Sequence, residues 1–231
     1  MKTAQFVQAQ QKQQSNIQFL SETDETEIGT LYFNNQFQLK LGKKDRYGRA
    51  TAAHILLNNK DTFRKKKEID ISYNPIGWHN YKFYYNSSKD RAWLMERGQL
   101  IPYQFSGLSN EGKNLVPMTA WLNSGNFKTT NSNNQGSMLY YVQRLEKWLA
   151  DNPDYWLDYK VTPIYTDDEL IPRKIELQYV GFDADGNVVS IQLDSGKEEL
   201  DIDGMTHVWL DNVSPNAEIN YKTGTAKNTS K

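Results

Sequence analysis

Cysteine is absent from this chain, which excludes disulfide staples and thiolate metal centres and leaves apolar packing to hold the fold. No apolar run approaches the ~18 residues of a membrane helix, so no membrane-spanning segment is expected. Nothing near Met1 has the apolar centre of a signal peptide. The chain is therefore either retained in the cell or exported with a leader that was removed before Met1 was added. An excess of one charge is missing too: 27 Lys and Arg against 28 Asp and Glu give a net charge of −1. Nucleic-acid binding thus has no support from total charge, only from its distribution. Histidine is scarce, limited to His54, His79 and His207, which leaves few side chains able to exchange a proton near neutrality.

Aromatic residues, in contrast, make up 13% of the chain, with 14 Tyr and 6 Trp, a composition of packed structure rather than disorder. The mean hydropathy of −0.77 is that of a polar, water-soluble protein. A length of 231 residues suffices for a sizeable core. No internal repeat or dividing linker is visible. The organisation expected is a Gln-rich polar tail or frayed helix over 1–16, one α+β domain over 17–224 and a mobile tail over 225–231.

Periodicity predicts individual elements. Met138, Tyr141, Val142, Leu145 and Leu149 recur at helical spacing, giving a helix from Met138 to Ala150 that ends at Asp151-Asn152-Pro153. Ala50 to Leu57 reads as a short helix, and Leu31-Tyr32-Phe33 through Leu41 as a strand or hairpin. Ile69–Ile71 and Tyr81–Tyr85 read as strands around an Asn74-Pro75-Ile76-Gly77 turn. Tyr159–Thr162, Lys174–Leu177 and Val188–Ile191 follow as strands, with Asp183-Ala184-Asp185-Gly186 turning a hairpin. The Asn-, Gly- and Ser-rich stretch from Gly107 to Ser137 reads as a long loop, and long ordered loops tend to be functional. Two basic clusters stand out: Lys43, Lys44, Arg46 and Arg49, then Arg64, Lys65, Lys66 and Lys67. Either is a solvated surface or a phosphate-contacting patch.

One set of segments resembles a known family. Glu96-Arg97-Gly98-Gln99-Leu100-Ile101, then Asn114-Leu115-Val116, then Trp121-Leu122-Asn123 are similar to the active-site segment of the DNA/RNA non-specific endonucleases with a ββα-metal finger. Asp45–Ala50, Gln104–Leu108, Thr119, Val161–Tyr165, Pro172-Arg173 and Ile219–Gly224 continue the pattern in order, especially that of the secreted, prophage-encoded DNases of Gram-positive bacteria. The resemblance implies an α+β fold, a central antiparallel sheet carrying the ββα-metal finger with flanking helices. It also implies a monomeric, secreted enzyme that uses one Mg²⁺ or Mn²⁺ to hydrolyse phosphodiester bonds of DNA, with RNA as a second substrate.

Phosphodiester hydrolysis needs a base to take the proton of the attacking water, a cation at the leaving oxygen and positive charge on the phosphorane. The resemblance places Asn123 as the metal ligand through its side-chain oxygen, and Asn114 as a loop-ordering residue. Arg97, Arg49 and Arg173 are candidates for phosphate contact, with surface salt-bridging the other reading of Arg49 and Arg173, and the cluster Lys43, Lys44, Arg46 and Arg49 is the candidate for contact with the nucleic-acid backbone. Two positions depart from the pattern. Gln99 stands where the family has its general-base His, and a carboxamide has no titratable site near neutrality. Val142 stands where the family has a Glu that holds metal-bound water. Glu146, one turn later, is out of register with that position. His54 and His79 are expected to be structural, and none of the three histidines lies in a matching segment. Inactivation of a toxic nuclease and natural degeneration both fit these two losses. The reading is therefore a non-specific endonuclease with little or no activity. The alternatives are a pseudo-nuclease that binds nucleic acid without cutting, and an interaction domain on the same scaffold.

Overall fold

A computed structural model describes residues 31–63, 71–85 and 90–230. The expected N-terminal tail, the basic run 64–67 and the predicted strand start at 69–70 lie outside these residues. Numbered in chain order, strands β1 (Gln38–Leu41), β2 (Ala53–Asn58), β7 (Trp156–Ile164), β8 (Lys174–Phe182), β11 (Thr206–Asp211) and β10 (Glu199–Leu200) lie side by side in that spatial order. A short β9 (Val188–Val189) pairs with β8 across the Asp183–Gly186 turn. Every neighbouring pair is antiparallel. The α+β fold with a central antiparallel sheet is the one the sequence predicts.

Side chains alternate between the faces of a strand. The register therefore aligns Leu39, Ile55, Tyr159 and Tyr179 in one row on one face. Against this face pack a helix, α3 (Met138–Asp151), and a smaller finger described below, giving the main core. The predicted stripe of α3 is buried at Met138, Tyr141, Val142, Leu145 and Leu149, and Tyr140 is buried with it. Ser137 caps the helix by accepting from the Tyr140 N–H. The other face of the sheet carries a small cluster of Leu31, Leu56 and Trp156, flanked by Phe33 and Phe182.

Three predictions are corrected. Ala50 to Leu57, expected as a helix, instead runs into strand β2 from Ala53 onward. All six β2 residues are buried, because Ile55 and Leu57 enter the main core while Leu56 joins the opposite cluster. Burial on both faces erases the alternation that marks a strand. The stretch 107–137 is not one loop, since it holds β6 (Leu115–Thr119) and α2 (Ala120–Ser124). The end of the chain, expected as a mobile tail from 225, forms β13 (Ala226–Asn228), paired with β12 (Ala217–Ile219). Asn228 then ties this edge down by donating to the carbonyls of Tyr84 and Asn216. In the predicted strand region before the sheet, only Gln38–Leu41 is a strand.

Buried phenols make the fold sensitive to alkali. Desolvation pushes the Tyr141 phenol up to about 12, and those of Tyr159, Tyr165 and Tyr179 further in the same direction. A phenol whose folded pKa is raised contributes stability below its unfolded value of about 10, and that contribution is lost as pH climbs through the folded value. A spectrophotometric tyrosine titration should therefore show a group of phenols that ionise only as circular dichroism is lost. Ionisation of every tyrosine near pH 10 in a folded chain would contradict this placement.

Candidate active site

A separate antiparallel hairpin pairs β5 (Met95–Gln99) with β6, and α2 follows β6 directly. This is a ββα finger. Close packing fixes it: a Cβ on Gly98 would lie 2.4 Å from the Met118 side chain, so only glycine lets β6 pack there. Thr119 begins α2 by accepting from the Leu122 N–H. Gly125 ends it in a left-handed conformation (φ 78°), where a Cβ would meet the Asn131 carbonyl at 2.2 Å. Buried Asn212, just past β11, clamps the finger to the main sheet. Its side chain accepts from the Thr119 N–H and donates to the Pro117 and Pro172 carbonyls.

The finger brings Asn123 to Glu96. The Asn123 Nδ2 donates to Glu96 Oε2 at 2.6 Å, and the Ser124 hydroxyl donates to the same oxygen at 2.7 Å. The contact orients the Asn123 carboxamide, whose Oδ1 accepts no hydrogen bond among the described residues. Glu96 and Ser124 carried no assigned role in the sequence. The signal for Glu96 was its place in the Glu-Arg-Gly-Gln segment at the position of the family's Asp.

Arg97 and Gln99 alternate with Glu96 along β5 and so belong to its other face. The Arg97 guanidinium donates twice to Asn74 Oδ1 and lies 4.7 Å from the centre of the Trp78 ring. The Gln99 side chain is engaged at both ends: its Nε2 donates to the Leu108 carbonyl at 2.7 Å, and its Oε1 accepts from the Tyr103 N–H at 3.0 Å. It thereby starts the short helix α1 (Tyr103–Ser106). Asn114 is buried and spans the same loop, accepting from the Ile101 N–H and donating to the Ile101 carbonyl. Removing that side chain orphans the Ile101 N–H and leaves its carbonyl only a long bond from the Ser106 hydroxyl, so Asn114→Ala should cost about 1–3 kcal/mol in a urea titration. An unchanged midpoint would mean that water replaces the side chain.

The other expected site residues are dispersed. Val142 is 5% exposed on α3, whereas Glu146 is exposed. Arg49 is buried. Its guanidinium pairs with Asp45 at 2.6 Å, donates to the Asp167 and Glu169 carbonyls, and stacks on Tyr47 and Tyr165. This arrangement makes it a tie between distant loops, turned away from solvent. Arg173 is half exposed, forked onto Glu169 and stacked on Tyr221. Arg46 and Lys43 are exposed, and Lys44 bonds the Tyr73 hydroxyl. His54 lies in β2, buried against Asp158 at 2.6 Å. His207 sits between Glu176 and Asp201, and His79 is exposed beside the Gly77 carbonyl.

The donor set around Asn123 fits a hydrated hard cation. No group of three His, Cys, Asp or Glu residues that could cage a metal exists among the described residues. Mg²⁺ and Mn²⁺ keep several waters, however, so one amide oxygen with a carboxylate beside it is a sufficient anchor.

Residues 31–181 match the family model described as DNA/RNA non-specific endonuclease. A solved structure described as an extracellular nuclease is 43% identical, covers 86% of this chain and 97% of its own, and superposes with a TM-score of 0.72. A second, described as an extracellular endonuclease, is 44% identical, covers 85% of this chain and 89% of its own, with a TM-score of 0.71. NucA from Streptococcus agalactiae with magnesium ion bound shares the fold at 21% identity, covering 85% of this chain and 80% of its own, with a TM-score of 0.61. No curated protein sequence matches the chain. With more than half of its length matched by the family model and a ββα finger carrying Asn123, the chain belongs to the DNA/RNA non-specific endonuclease family.

Proposed function

We propose that this chain is a cation-assisted endonuclease of DNA, accepting RNA as well, whose cleavage step is lost or strongly impaired. The observation that carries the reading is the Asn123–Glu96 contact on the ββα finger. Asn123 Oδ1 would hold one Mg²⁺ or Mn²⁺, and Glu96, through its second oxygen, would accept a hydrogen bond from a water on that ion. When bound, such an ion supplies positive charge against the leaving oxygen. NucA, whose structure contains magnesium, supports the choice of ion.

The chain's own residues explain the impairment. Gln99 occupies the position of the base, yet its Oε1 already accepts from the Tyr103 N–H and has no basicity to accept a proton from water. Val142 presents an alkyl group where the family has a carboxylate. Arg97 keeps a forked guanidinium, aligned by Asn74 and suited to a phosphate. Exposed Lys43 and Arg46 and half-exposed Arg173 can add backbone contacts that carry no sequence information. Arg49 would contribute by holding the loop that bears Arg46. The names of the 43% and 44% identical neighbours support action outside the cell. No helix among the described residues is long and apolar enough to cross a membrane.

The engagement of Gln99 at both ends favours one second reading, a nucleic-acid-binding module that does not cut. Two assays separate the readings: plasmid digestion with Mg²⁺ or Mn²⁺, and binding of a labelled duplex across a salt series. An impaired nuclease gives slow, cation-dependent nicking that Asn123→Ala abolishes. A binding module gives salt-sensitive affinity without nicking. Absence of both activities would sink both readings and leave an interaction domain.

A further inference from the structure

A small hairpin beside the finger carries a surface that the reading above does not use. Its strands are β3 (Lys82–Tyr84) and β4 (Arg91–Trp93), in a register that sets Lys82 opposite Trp93 and Tyr84 opposite Arg91. All four side chains therefore share one face. Lys82 Nζ lies 4.9 Å from the centre of the Trp93 ring, and the Arg91 guanidinium lies 4.4 Å from that of Tyr84. These cross-strand pairs help to hold the hairpin. They do not cover Trp93, which remains 52% exposed.

Facing the hairpin is the loop that leaves α2. Phe127 stands there, its ring packed against those of Trp121 at 4.9 Å and Tyr85 at 5.3 Å between centres. Between the walls lies an open cavity of about 290 Å³, lined by Lys82, Arg91, Trp93, Glu96, Phe127 and Lys128. Three cations thus surround one carboxylate, and an oxygen of that carboxylate already receives the Asn123 and Ser124 donors. The cavity is continuous with the candidate cation site through Glu96. It joins flat aromatic faces to positive charge, the two features a nucleic-acid strand presents in complement as bases and phosphates. A duplex keeps its bases stacked inside, whereas an exposed indole can accept only a base that has left the stack.

We propose that this cavity is a subsite for single-stranded nucleic acid. Trp93 is the stacking platform for one unpaired base, and Lys82, Arg91 and Lys128 take the flanking phosphates. The substrate class of the site is then an unpaired or locally opened strand, read without base-edge hydrogen bonds. The proposal rests on the endonuclease reading, because that reading supplies the strand, but its test is independent of cleavage.

The test is anisotropy of a labelled oligothymidylate and of a labelled duplex, in chelator so that neither is cut. It compares the native chain with Trp93→Ala, Trp93→Phe and Lys82→Ala/Arg91→Ala. Trp93→Ala should weaken oligothymidylate binding about tenfold or more and leave the duplex within about twofold, with Trp93→Phe restoring most of the loss. The double lysine–arginine variant should flatten the salt dependence for the single strand by about one phosphate contact per cation removed. Indole fluorescence gives a second readout that does not depend on Trp93→Ala folding: oligothymidylate should quench the native chain, and the quench should vanish in Trp93→Phe. Equal losses for both ligands, or no loss in either Trp93 variant, would overturn the subsite while leaving nucleic-acid binding intact. Failure of the native chain to bind either ligand would overturn the subsite, and, joined to an absence of plasmid nicking with Mg²⁺ or Mn²⁺, the endonuclease reading with it.

Discussion

Gln99→His combined with Val142→Glu should raise Mg²⁺-dependent plasmid cleavage by about 10²–10⁴ over the native chain, the usual worth of a general base. The geometry at position 99 is suited to the change. Gln99 Nε2 now donates to the Leu108 carbonyl. An imidazole can keep that bond through one ring N–H, which fixes the tautomer and leaves the other nitrogen as the proton acceptor. The gain should therefore appear in a pH profile that rises through about 6.5, the ordinary value for histidine. Position 142 behaves differently because it is buried at 5% exposure. A carboxyl introduced there is driven toward its neutral form by desolvation unless a cation lies near it. Val142→Glu alone should thus lower the Tm in chelator and recover part of the loss when Mg²⁺ is added. A double variant that binds DNA but never cuts would show that the missing chemistry lies elsewhere, and the non-cutting module would become the better reading.

Arg49→Ala should destabilise the fold by about 3–5 kcal/mol, the usual consequence of leaving one member of a buried ion pair alone. For a chain of this size that corresponds to a Tm lower by about 6–20 °C. The removed guanidinium takes with it a 2.6 Å bridge to Asp45, two bonds to the Asp167 and Glu169 carbonyls and its stacking on Tyr165. Asp45, 15% exposed in the native fold, would lose its cation. Arg173→Ala provides the contrast. Its pair with Glu169 is half exposed on the arginine side, and such pairs contribute about 0–1 kcal/mol. Calorimetry on the two variants separates a structural tie from a surface contact. If Arg49→Ala instead keeps its Tm and loses affinity for DNA, the arginine contacts phosphate in solution and the inward placement is wrong.

Local pattern was enough for much of this protein. The apolar stripe from Met138 to Leu149 specified α3, because a helix packed on one side must repeat its apolar residues every three to four positions. Tyr159–Thr162 and Lys174–Leu177 lie within β7 and β8, and the Asp183–Gly186 turn gave their extension into β9. The ordered segments around Glu96, Asn114 and Asn123 indicated a ββα finger and its family, since each short piece gains weight from the others.

Tertiary structure decided the rest. β2 carries no alternation because both of its faces are buried, so only its place between β1 and β7 makes it a strand. Arg49 reads as one more member of a basic surface cluster until Asp167 and Glu169, more than a hundred residues away, close over it. Trp93 and Phe127 acquire a common cavity only when the hairpin and the loop after α2 are set face to face. Glu96 and Asn123 are 27 positions apart and meet because β6 returns the chain to β5. Sequence by itself determined the residue types, helix α3, parts of β7 and β8, and the ordered motifs of the finger. Which polar groups are buried, paired or free was settled by contacts between distant segments, because burial and partner distance set the energy of a charge or carboxamide, and neither is a local property.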